Sequence, residues 1–138
     1  HYIGRTFIEP TQSMRELKVK LKLNPIEKLI TGKDIIIIDD SIVRGTTSKQ
    51  IISILRKAGA KKIHLIIASP QTIAPCYYGV DTPDSSQLIC ANKSQDEVCA
   101  FIGADSLHFL SLNGLYKSIG IENGDGYCRA CFDKDYVI

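Results

Sequence analysis

A run of four isoleucines, Ile35 to Ile38, is followed at once by two aspartates and a polar loop in the segment IIIIDDSIVRGTT. Continuous β-branched residues over this length are typical of a parallel-sheet strand that is covered on both faces. Asp39 and Asp40 cannot continue into a core, because an unpaired buried carboxylate costs too much free energy. The pattern therefore predicts a strand with two acidic groups at its carboxyl end, where α/β sheets bind their ligands.

The segment after this loop has the periodicity of a helix. It runs from Lys49 to Ala58, and Thr46, Thr47 and Ser48 precede it as candidate N-caps. Gly59 is placed to end it. The apolar residues that recur at helical spacing are Ile51, Ile52, Ile54, Leu55 and Ala58.

Further elements extend this pattern in both directions. The segment IHLIIASP predicts a second strand over residues 63–69, which completes a right-handed βαβ unit. Residues 95–102 predict another helix. Upstream, residues 24–30 predict a short helix with Asn24 as its N-cap, and Gly32 ends it. The fold class is therefore α/β, with a parallel sheet and flanking helices.

The loop between the first strand and its helix has the chemistry of a phosphate site. Ser41, Gly45, Thr46 and Thr47 offer hydroxyls and backbone N–H groups at a helix N-terminus. The adjacent carboxylates suit either sugar hydroxyls or a Mg²⁺ ion that bridges to phosphates. The alternative is that DDS forms an ordinary Asx-type turn and helix cap. The isoleucine run, the glycine and the hydroxyl triplet in register favour the ligand site.

Composition narrows the functional class. The 138 residues suffice for one domain, and the net charge of +2, with acids and bases mixed, excludes a strongly basic nucleic-acid surface. No apolar stretch reaches the length of a membrane span, and no signal-peptide pattern is present. The five cysteines without a secretory signal favour a reducing compartment, the cytoplasm. The chain begins at His1, and we expect it to be a piece of a longer protein.

The cysteines fall into two groups. Cys90 and Cys99 lie in apolar surroundings, where a small buried thiol is the default. Cys128 and Cys131 form a C-x-x-C pair in the glycine-rich segment GYCRACF. Such a pair can deliver two thiolates to a metal or cluster, and a surface pair of free thiols is the alternative.

These residues carry a family resemblance. IIIIDDSIVRGTT resembles the phosphoribosyl pyrophosphate (PRPP) binding motif of type I phosphoribosyltransferases. The segments GRTFIEP, LKLNP, APCYYGVD and IGADSLHFLS resemble one family within them, the glutamine PRPP amidotransferases, from Tyr2 to Phe132. The resemblance implies the C-terminal part of a Rossmann-like phosphoribosyltransferase domain. We expect a flexible loop and short helix over residues 1–32, a PRPP-binding core over 33–120 and a cysteine-bearing tail over 121–138.

The resemblance also implies an activity. In this family, ammonia derived from glutamine replaces the pyrophosphate of PRPP to give 5-phosphoribosylamine, the first step of de novo purine biosynthesis. The N-terminal glutaminase domain of the family has no counterpart in this sequence, so we expect the piece alone to be inactive. Catalysis of this kind depends mostly on positioning and charge stabilisation. Accordingly, His64 and His108 are expected to be packed or edge residues and not general bases.

Residue roles follow from the matching motif positions. The resemblance assigns Asp39 and Asp40 to the ribose hydroxyls and Mg²⁺. It assigns Arg5 and Lys22, in the basic N-terminal segment, to a loop that closes over pyrophosphate. The residues expected to hold the 5′-phosphate are Ser41, Arg44, Gly45, Thr46 and Thr47.

The cysteines acquire a role in the same way. Some family members hold a structural [4Fe–4S] cluster, and Cys76, Cys128 and Cys131 match three of its four ligands. The fourth ligand lies upstream in the family, so we expect the cluster to be absent from this piece and its tail to be metal-free or disordered. The resemblance further implies that the longer enzyme binds purine nucleotides and forms a homo-oligomer.

Two other functions share the PRPP motif. A non-catalytic nucleotide-binding regulator would carry a basic DNA-binding module, and no such module is apparent. A salvage purine or pyrimidine phosphoribosyltransferase would need a base-binding hood, whereas GRTFIEP and the cysteine set indicate the amidotransferase family.

Overall fold

The computed structural model describes residues 27–122, 124 and 126–136. The predicted pyrophosphate residues Arg5 and Lys22 and the predicted cap Asn24 lie outside these residues. The elements, in chain order, are α1 (Glu27–Ile30), β1 (Asp34–Asp39), α2 (Thr46–Lys57), β2 (Lys62–Ile67), a 3₁₀ turn (Ser85–Gln87), α3 (Ile89–Asn92), α4 (Gln95–Ile102), β3 (Ser106–Phe109), α5 (Leu112–Ser118) and α6 (Ala130–Asp133).

The three strands form one parallel sheet in the order β1-β2-β3. Ile37 pairs with Leu65, and Leu65 pairs with Leu107. Parallel neighbours require crossover connections. Helix α2 lies in the first connection and α4 in the second. The predicted α/β class with a parallel sheet and flanking helices is confirmed.

One face of this sheet forms the core. Alternate residues of the central strand, Ile63, Leu65 and Ile67, are at most 2% exposed. They belong to a single apolar cluster with side chains from both crossover helices. The helical members are Ile52 and Leu55 of α2 and Val98 and Ile102 of α4. The core therefore lies between the sheet and α2 and α4, and it fixes the helices relative to the carboxyl edge.

Within the residues that the structure describes, no layer covers the opposite face of β1, so the expectation that the isoleucine run is covered on both faces is wrong there. Ile36 and Ile38 are 65% and 72% exposed, while Ile35 and Ile37 pack against the core. Successive strand side chains point to opposite faces, so a helix layer on one side covers only every second residue. A run of apolar residues predicts a strand, but it does not indicate whether one or both faces of that strand are covered.

Element boundaries also differ from the sequence expectations. Helix α2 begins at Thr46, three residues before the predicted start, and its N-cap is Gly45 without a side-chain cap hydrogen bond. The prediction that the hydroxyl triplet caps the helix is therefore wrong, because those residues occupy its first turn. Strand β2 spans Lys62–Ile67, shorter than predicted, and β3 was not predicted.

Helix α4 has the predicted bounds, Gln95–Ile102, for a clear local reason. Ser94 and Glu97 form a reciprocal capping box at its start, and Gly103 ends it in a left-handed conformation.

Among the described residues, no helix has the length and apolar character required to cross a membrane.

A polar contact joins the two crossover connections on the side away from the carboxyl edge. Arg56 of α2 forms an ion pair with Asp105, with 2.5 Å between Nη2 and Oδ2. The same carboxylate oxygen accepts the backbone N–H of Ile63 at 2.7 Å. The Ile63 hydrogen bond, followed by Arg56, lowers the pKa of Asp105 below its usual range. The ionised carboxylate therefore stabilises the start of β2.

This contact makes a prediction about acid stability. A carboxyl whose pKa is lowered on folding stabilises the protein above its unfolded pKa, about 3.9, and that contribution is lost as the pH falls further. Asp105→Asn should lower the melting temperature at pH 7 and reduce the loss of stability between pH 7 and the acid range. Thermal unfolding across pH measures both effects.

The control for this measurement is Asp81→Asn, which changes an exposed loop aspartate. It should leave the pH profile unchanged. An Asp105→Asn variant with wild-type stability at pH 7 would contradict the role given to this carboxylate.

Candidate functional site

A cavity of about 260 Å³ lies at the carboxyl end of β1. Its lining is continuous in sequence, from Asp39 at the strand end through the loop to Ser48 in the first turn of α2. The structure therefore brings seven of the sequence-predicted site residues to one cavity. They are Asp39, Asp40, Ser41, Arg44, Gly45, Thr46 and Thr47.

The two carboxylates are adjacent and locally ordered. Asp39 is the last residue of β1, and its carbonyl oxygen accepts the N–H of Ala68 at 2.9 Å. The N–H of Asp40 donates to Asp39 Oδ1 at 3.1 Å, and Ser41 Oγ donates to Asp40 Oδ1 at 3.2 Å. Neither bond is that of an Asx-type turn, in which the aspartate accepts the backbone N–H two residues on. Neither bond caps α2, whose N-cap is Gly45, so the alternative interpretation of DDS as an Asx-type turn and helix cap is wrong.

The start of α2 borders the same cavity. Gly45 has a left-handed conformation with φ 73°, and no side chain caps the helix. The first N–H groups of a helix have no partner within it, and they carry the positive end of its dipole. A 12-residue helix that begins at a cavity without a side-chain cap offers those N–H groups to an anion.

Apolar contacts hold the loop against the core and against α3 and α4. Ile42 is 2% exposed and belongs to the core cluster. A Cβ atom at Gly45 would lie 3.0 Å from Ile89 Cδ1 and 3.3 Å from a ring carbon of Phe101. The N–H of Ile89 also donates to Val43 O at 2.9 Å. Glycine is therefore favoured at residue 45 both by its φ and by the close approach of α3 and α4.

Sequence reasoning missed the residues that contact the loop from the far side of the fold. Arg44 Nε donates to Gln87 Oε1 at 2.9 Å, although the two residues are 43 positions apart. Phe101 of α4 approaches Gly45, and the Lys49 ammonium lies 4.5 Å above the Phe101 ring. No motif in the sequence signals these contacts, because they arise when α3 and α4 pack beside the loop.

The cysteine-bearing tail lies against the loop that contains Cys76. The backbone N–H groups of Ile73 and Ala74 donate to Cys131 O at 2.9 and 3.1 Å. The Tyr136 hydroxyl donates to Pro75 O at 2.5 Å, and its ring lies 5.1 Å from that of Tyr77. The described part of the tail is thus joined to the body of the domain by backbone and aromatic contacts.

The thiols differ in their surroundings. Backbone N–H groups of Tyr78, Val80 and Gly79 lower the pKa of Cys76, and the Tyr78 nitrogen lies 3.4 Å from its Sγ. Burial is the main reason that the pKa of Cys131 is raised, and nearby Cys76 and Cys128 add to it. Hydrogen bonds to sulfur suit a thiolate ligand. Nevertheless, in residues 27–122, 124 and 126–136 no three His, Cys, Asp or Glu side chains converge as a metal site.

Of the other two cysteines, Cys90 is buried as expected, whereas Cys99 is only partly buried. Cys90 is 7% exposed, and burial raises the pKa of its thiol to about 11. Cys99 is half-buried, and its Sγ donates to Ala104 O at 3.4 Å. None of the five cysteines forms a disulfide.

The histidines also match their expected places. His64 Nδ1 lies 2.7 Å from Ser106 Oγ of the neighbouring strand, and His108 is exposed on β3. Neither residue lines the cavity at the end of β1.

Comparison with known proteins identifies relatives over the whole chain. No protein-family model matches it. It is 54% identical over 138 residues to amidophosphoribosyltransferase 2 of Arabidopsis thaliana, a chloroplastic protein. The matched region is all of this chain and 24% of that protein. It is 50% identical over 135 residues to amidophosphoribosyltransferase of Methanocaldococcus jannaschii, covering 98% and 28%. The Bacillus subtilis enzyme is 47% identical, covering 98% and 29%.

Solved structures agree. The glutamine PRPP amidotransferase of B. subtilis, complexed with ADP and GMP, matches with a TM-score of 0.77 and 42% identity over 99% of this chain and 30% of that one. A structure described as the allosteric regulatory enzyme of purine biosynthesis matches with a TM-score of 0.78 and 43% identity.

The chain spans about a quarter of the length of the curated relatives it matches. Within that span, sequence and fold agree together, which confirms the resemblance carried by the PRPP motif and its flanking segments. The chain is homologous over its full length to part of the amidophosphoribosyltransferases, and its fold is that of the corresponding part of PRPP amidotransferase.

Proposed function

We propose that this chain is the PRPP-binding part of an amidophosphoribosyltransferase, in which glutamine-derived ammonia replaces the pyrophosphate of PRPP to give 5-phosphoribosylamine in de novo purine biosynthesis. The observation that carries the proposal is the cavity at the end of β1, which combines two carboxylates with an uncapped helix N-terminus. Those two features suit the two ends of a phosphorylated sugar. The similarity to amidophosphoribosyltransferases supplies the reaction.

At the acidic end of the cavity, Asp39 and Asp40 are proposed to bind the ribose hydroxyls and a Mg²⁺ ion. Carboxylate oxygens are hard ligands, and Mg²⁺ is usually bound by one or two carboxylates together with substrate phosphates. The two carboxylates, with no third metal-binding side chain beside them among the described residues, fit that arrangement. When bound, Mg²⁺ would supply charge stabilisation for the pyrophosphate.

At the other end, the loop is proposed to hold the 5′-phosphate. The backbone N–H groups at the start of α2 and the Arg44 guanidinium provide positive potential, and the hydroxyls of Ser41, Thr46 and Thr47 provide further donors. Because loop and acids are consecutive in sequence, a phosphate seated here places the ribose beside Asp39 and Asp40. The protein thereby orients C1 of the ribose for attack by ammonia.

Arg5 and Lys22 are proposed to contact the pyrophosphate. They lie outside the described residues, so this part of the proposal rests on the family resemblance. Cationic side chains at that position would neutralise the departing pyrophosphate as charge develops on it.

The cysteines are proposed to serve the longer enzyme structurally. Cys76, Cys128 and Cys131 would be three of the four ligands of a [4Fe–4S] cluster. The N–H groups around Cys76 Sγ, and the contribution of Cys76 and Cys128 to the raised pKa of Cys131, support this. The donor chemistry fits a cluster, whereas the side-chain placement does not yet converge on one point. Cluster assembly would therefore require the three thiols to reorient.

The wider setting is proposed on the same basis. Residues 1–32, 33–120 and 121–138 would serve as pyrophosphate loop with short helix, PRPP-binding core and cysteine-bearing tail of a homo-oligomeric enzyme. Purine nucleotides are proposed as further ligands, since the matching B. subtilis enzyme is complexed with ADP and GMP. The five free cysteines support a cytoplasmic location. A plastid is the alternative, because plant relatives are named as chloroplastic.

The first prediction from the proposed function tests the acids in the complete enzyme that carries this sequence. Asp39→Asn combined with Asp40→Asn should weaken PRPP and ribose 5-phosphate binding by more than about tenfold, because charged contacts are lost. Calorimetry with Mg²⁺ measures both affinities. Asp34→Asn, at the opposite end of β1, is the matched control and should bind normally. Unchanged affinity in the double variant would refute the assignment.

The same titration separates the remaining contacts. Arg5→Ala or Lys22→Ala should weaken the binding of PRPP. Either substitution should leave the affinity for ribose 5-phosphate unchanged, because that ligand has no pyrophosphate. Equal losses of affinity for both ligands would show that these residues do not contact the pyrophosphate.

Product assays with glutamine, ammonia or free bases as acceptor would distinguish an amidotransferase from a salvage enzyme.

A second prediction concerns the loop itself. Gly45→Ala and Gly32→Ala each introduce the strain of a positive φ, worth about 1 kcal/mol, since both glycines have φ 73°. A Cβ meets Ile89 and Phe101 only at residue 45 of this pair. Gly45→Ala should therefore lower the melting temperature more than Gly32→Ala does. Gly45→Ala should also weaken PRPP binding, while Gly32→Ala should keep normal affinity for PRPP. Equal effects of the two substitutions on stability and binding would contradict the close approach.

The third prediction concerns iron. Complete enzyme purified without oxygen should hold about four iron atoms per chain, the content of one [4Fe–4S] cluster. Cys76→Ser, Cys128→Ser or Cys131→Ser should each abolish it, whereas Cys90→Ser and Cys99→Ser should not. Iron analysis and visible absorption give the readout. If the enzyme purified without oxygen is fully active and contains no iron, the cluster assignment is refuted and all five cysteines are ordinary free thiols.

A further inference from the structure

We propose that Gln87 is a positioning residue for phosphate binding: its side-chain carbonyl holds the Arg44 guanidinium at the cavity. Arg44 lines the cavity, and its Nε donates to Gln87 Oε1 at 2.9 Å. The inference rests on the proposed function, which places Arg44 at the 5′-phosphate. It adds a residue 43 positions away that no motif indicates.

The orientation of the Gln87 amide is determined by its two neighbours. Arg44 can only donate hydrogen bonds, and the Asp84 carboxylate can only accept them. Gln87 Nε2 donates to Asp84 Oδ2 at 3.4 Å, while Oε1 accepts from Arg44. The reverse orientation would place the amide nitrogen against the guanidinium and its oxygen against the carboxylate. A single amide orientation therefore satisfies both partners.

Asp84 is itself fixed. Its Oδ1 accepts the backbone N–H of Ser86 at 3.0 Å and also the Ser86 hydroxyl. These hydrogen bonds keep the pKa of Asp84 below its usual range, so the carboxylate is ionised at neutral pH. Asn92 ties the turn to α3, because its Nδ2 donates to Ser85 O at 2.7 Å. Gln87 thus projects from an ordered turn and not from a free loop.

The turn is also anchored to the phosphate loop itself. Helix α3 follows the turn, and the N–H of its first residue, Ile89, donates to Val43 O, next to Arg44. The backbone bond and the Gln87 side-chain bond therefore join the same two segments, at adjacent residues of the loop and at residues two apart in the turn and α3. Their combined effect is to hold the position of Arg44 relative to the start of α2.

The choice of a neutral partner has a chemical consequence. Gln87 takes the Nε donor and leaves the four N–H groups on the two Nη nitrogens for an anion. It brings no negative charge, so Arg44 keeps its full attraction for phosphate. A long side chain that is ordered before the ligand arrives loses less conformational entropy on binding. Gln87 should therefore increase phosphate affinity without contacting the phosphate.

The test is steady-state kinetics of the complete enzyme with PRPP varied. Gln87→Leu keeps the size of the side chain and removes the acceptor. It should raise KM for PRPP roughly five- to tenfold and change kcat by less than about twofold, because ground state and transition state lose the same contact. Gln87→Glu keeps an acceptor for Arg44 but adds a negative charge beside it and places an oxygen against the Asp84 carboxylate, so its KM should stay above the wild-type value. Gln50→Leu, the same substitution on α2 outside the cavity lining, is the control and should leave KM unchanged.

Arg44→Ala separates positioning from a structural role. In that background Gln87→Leu should raise KM no further, since the group it orients is gone. A further rise there, with a lower melting temperature, would show that Gln87 only stabilises the turn and would overturn the inference. A normal KM in Gln87→Leu while Arg44→Ala raises it would also overturn it. A normal KM in Arg44→Ala would refute the proposed role of Arg44 first, and the inference with it.

Discussion

The left-handed turn at Gly45 is the constraint on which the site depends. At φ 73° the chain leaves the loop and enters α2 without a capping side chain, and Ile89 and Phe101 approach where a Cβ would stand. Buried Ile42 holds the start of the same loop in the core. Because both ends of the loop are fixed by packing, the N–H groups at the start of α2 and the acids at the end of β1 face one cavity.

The electrostatics of that cavity restrict the ligand. Two adjacent carboxylates repel a bare phosphate, whereas a helix N-terminus and Arg44 attract it. A ligand that satisfies both ends carries a phosphate at one end and hydroxyls or a bound cation at the other. This is why we propose a phosphorylated sugar for the cavity in place of a free anion, and a cation or hydroxyls as the partners of Asp39 and Asp40.

Residues far along the chain complete the site from one side. The turn and helices between Asp84 and Ile102 supply Gln87, Ile89 and Phe101 to a loop that is otherwise continuous in sequence. The described tail contacts the Cys76 segment in a comparable way, through Cys131 O and Tyr136. In both cases contacts between residues distant in sequence join a segment to the body of the domain.

The sequence by itself determined the α/β class, the parallel pair β1 and β2 with the helix between them, the bounds of α4 and the grouping of Asp39 through Thr47. These features depend on local signals: β-branched runs, helical spacing, the Ser94–Glu97 capping box and residues that are consecutive along the chain. Such signals do not require knowledge of distant neighbours.

Tertiary structure decided the rest. It placed the open face of β1 at Ile36 and Ile38, since the number of covering layers depends on other elements. It paired the short strand β3, which has only four residues and little pattern of its own. It moved the N-cap of α2 to Gly45 and joined Arg44 to Gln87, because the positions of backbone and side chain there follow from the packing of α3 and α4 beside the loop. Contacts between residues distant in sequence leave no periodic trace in the chain, so they could be found only in the folded molecule.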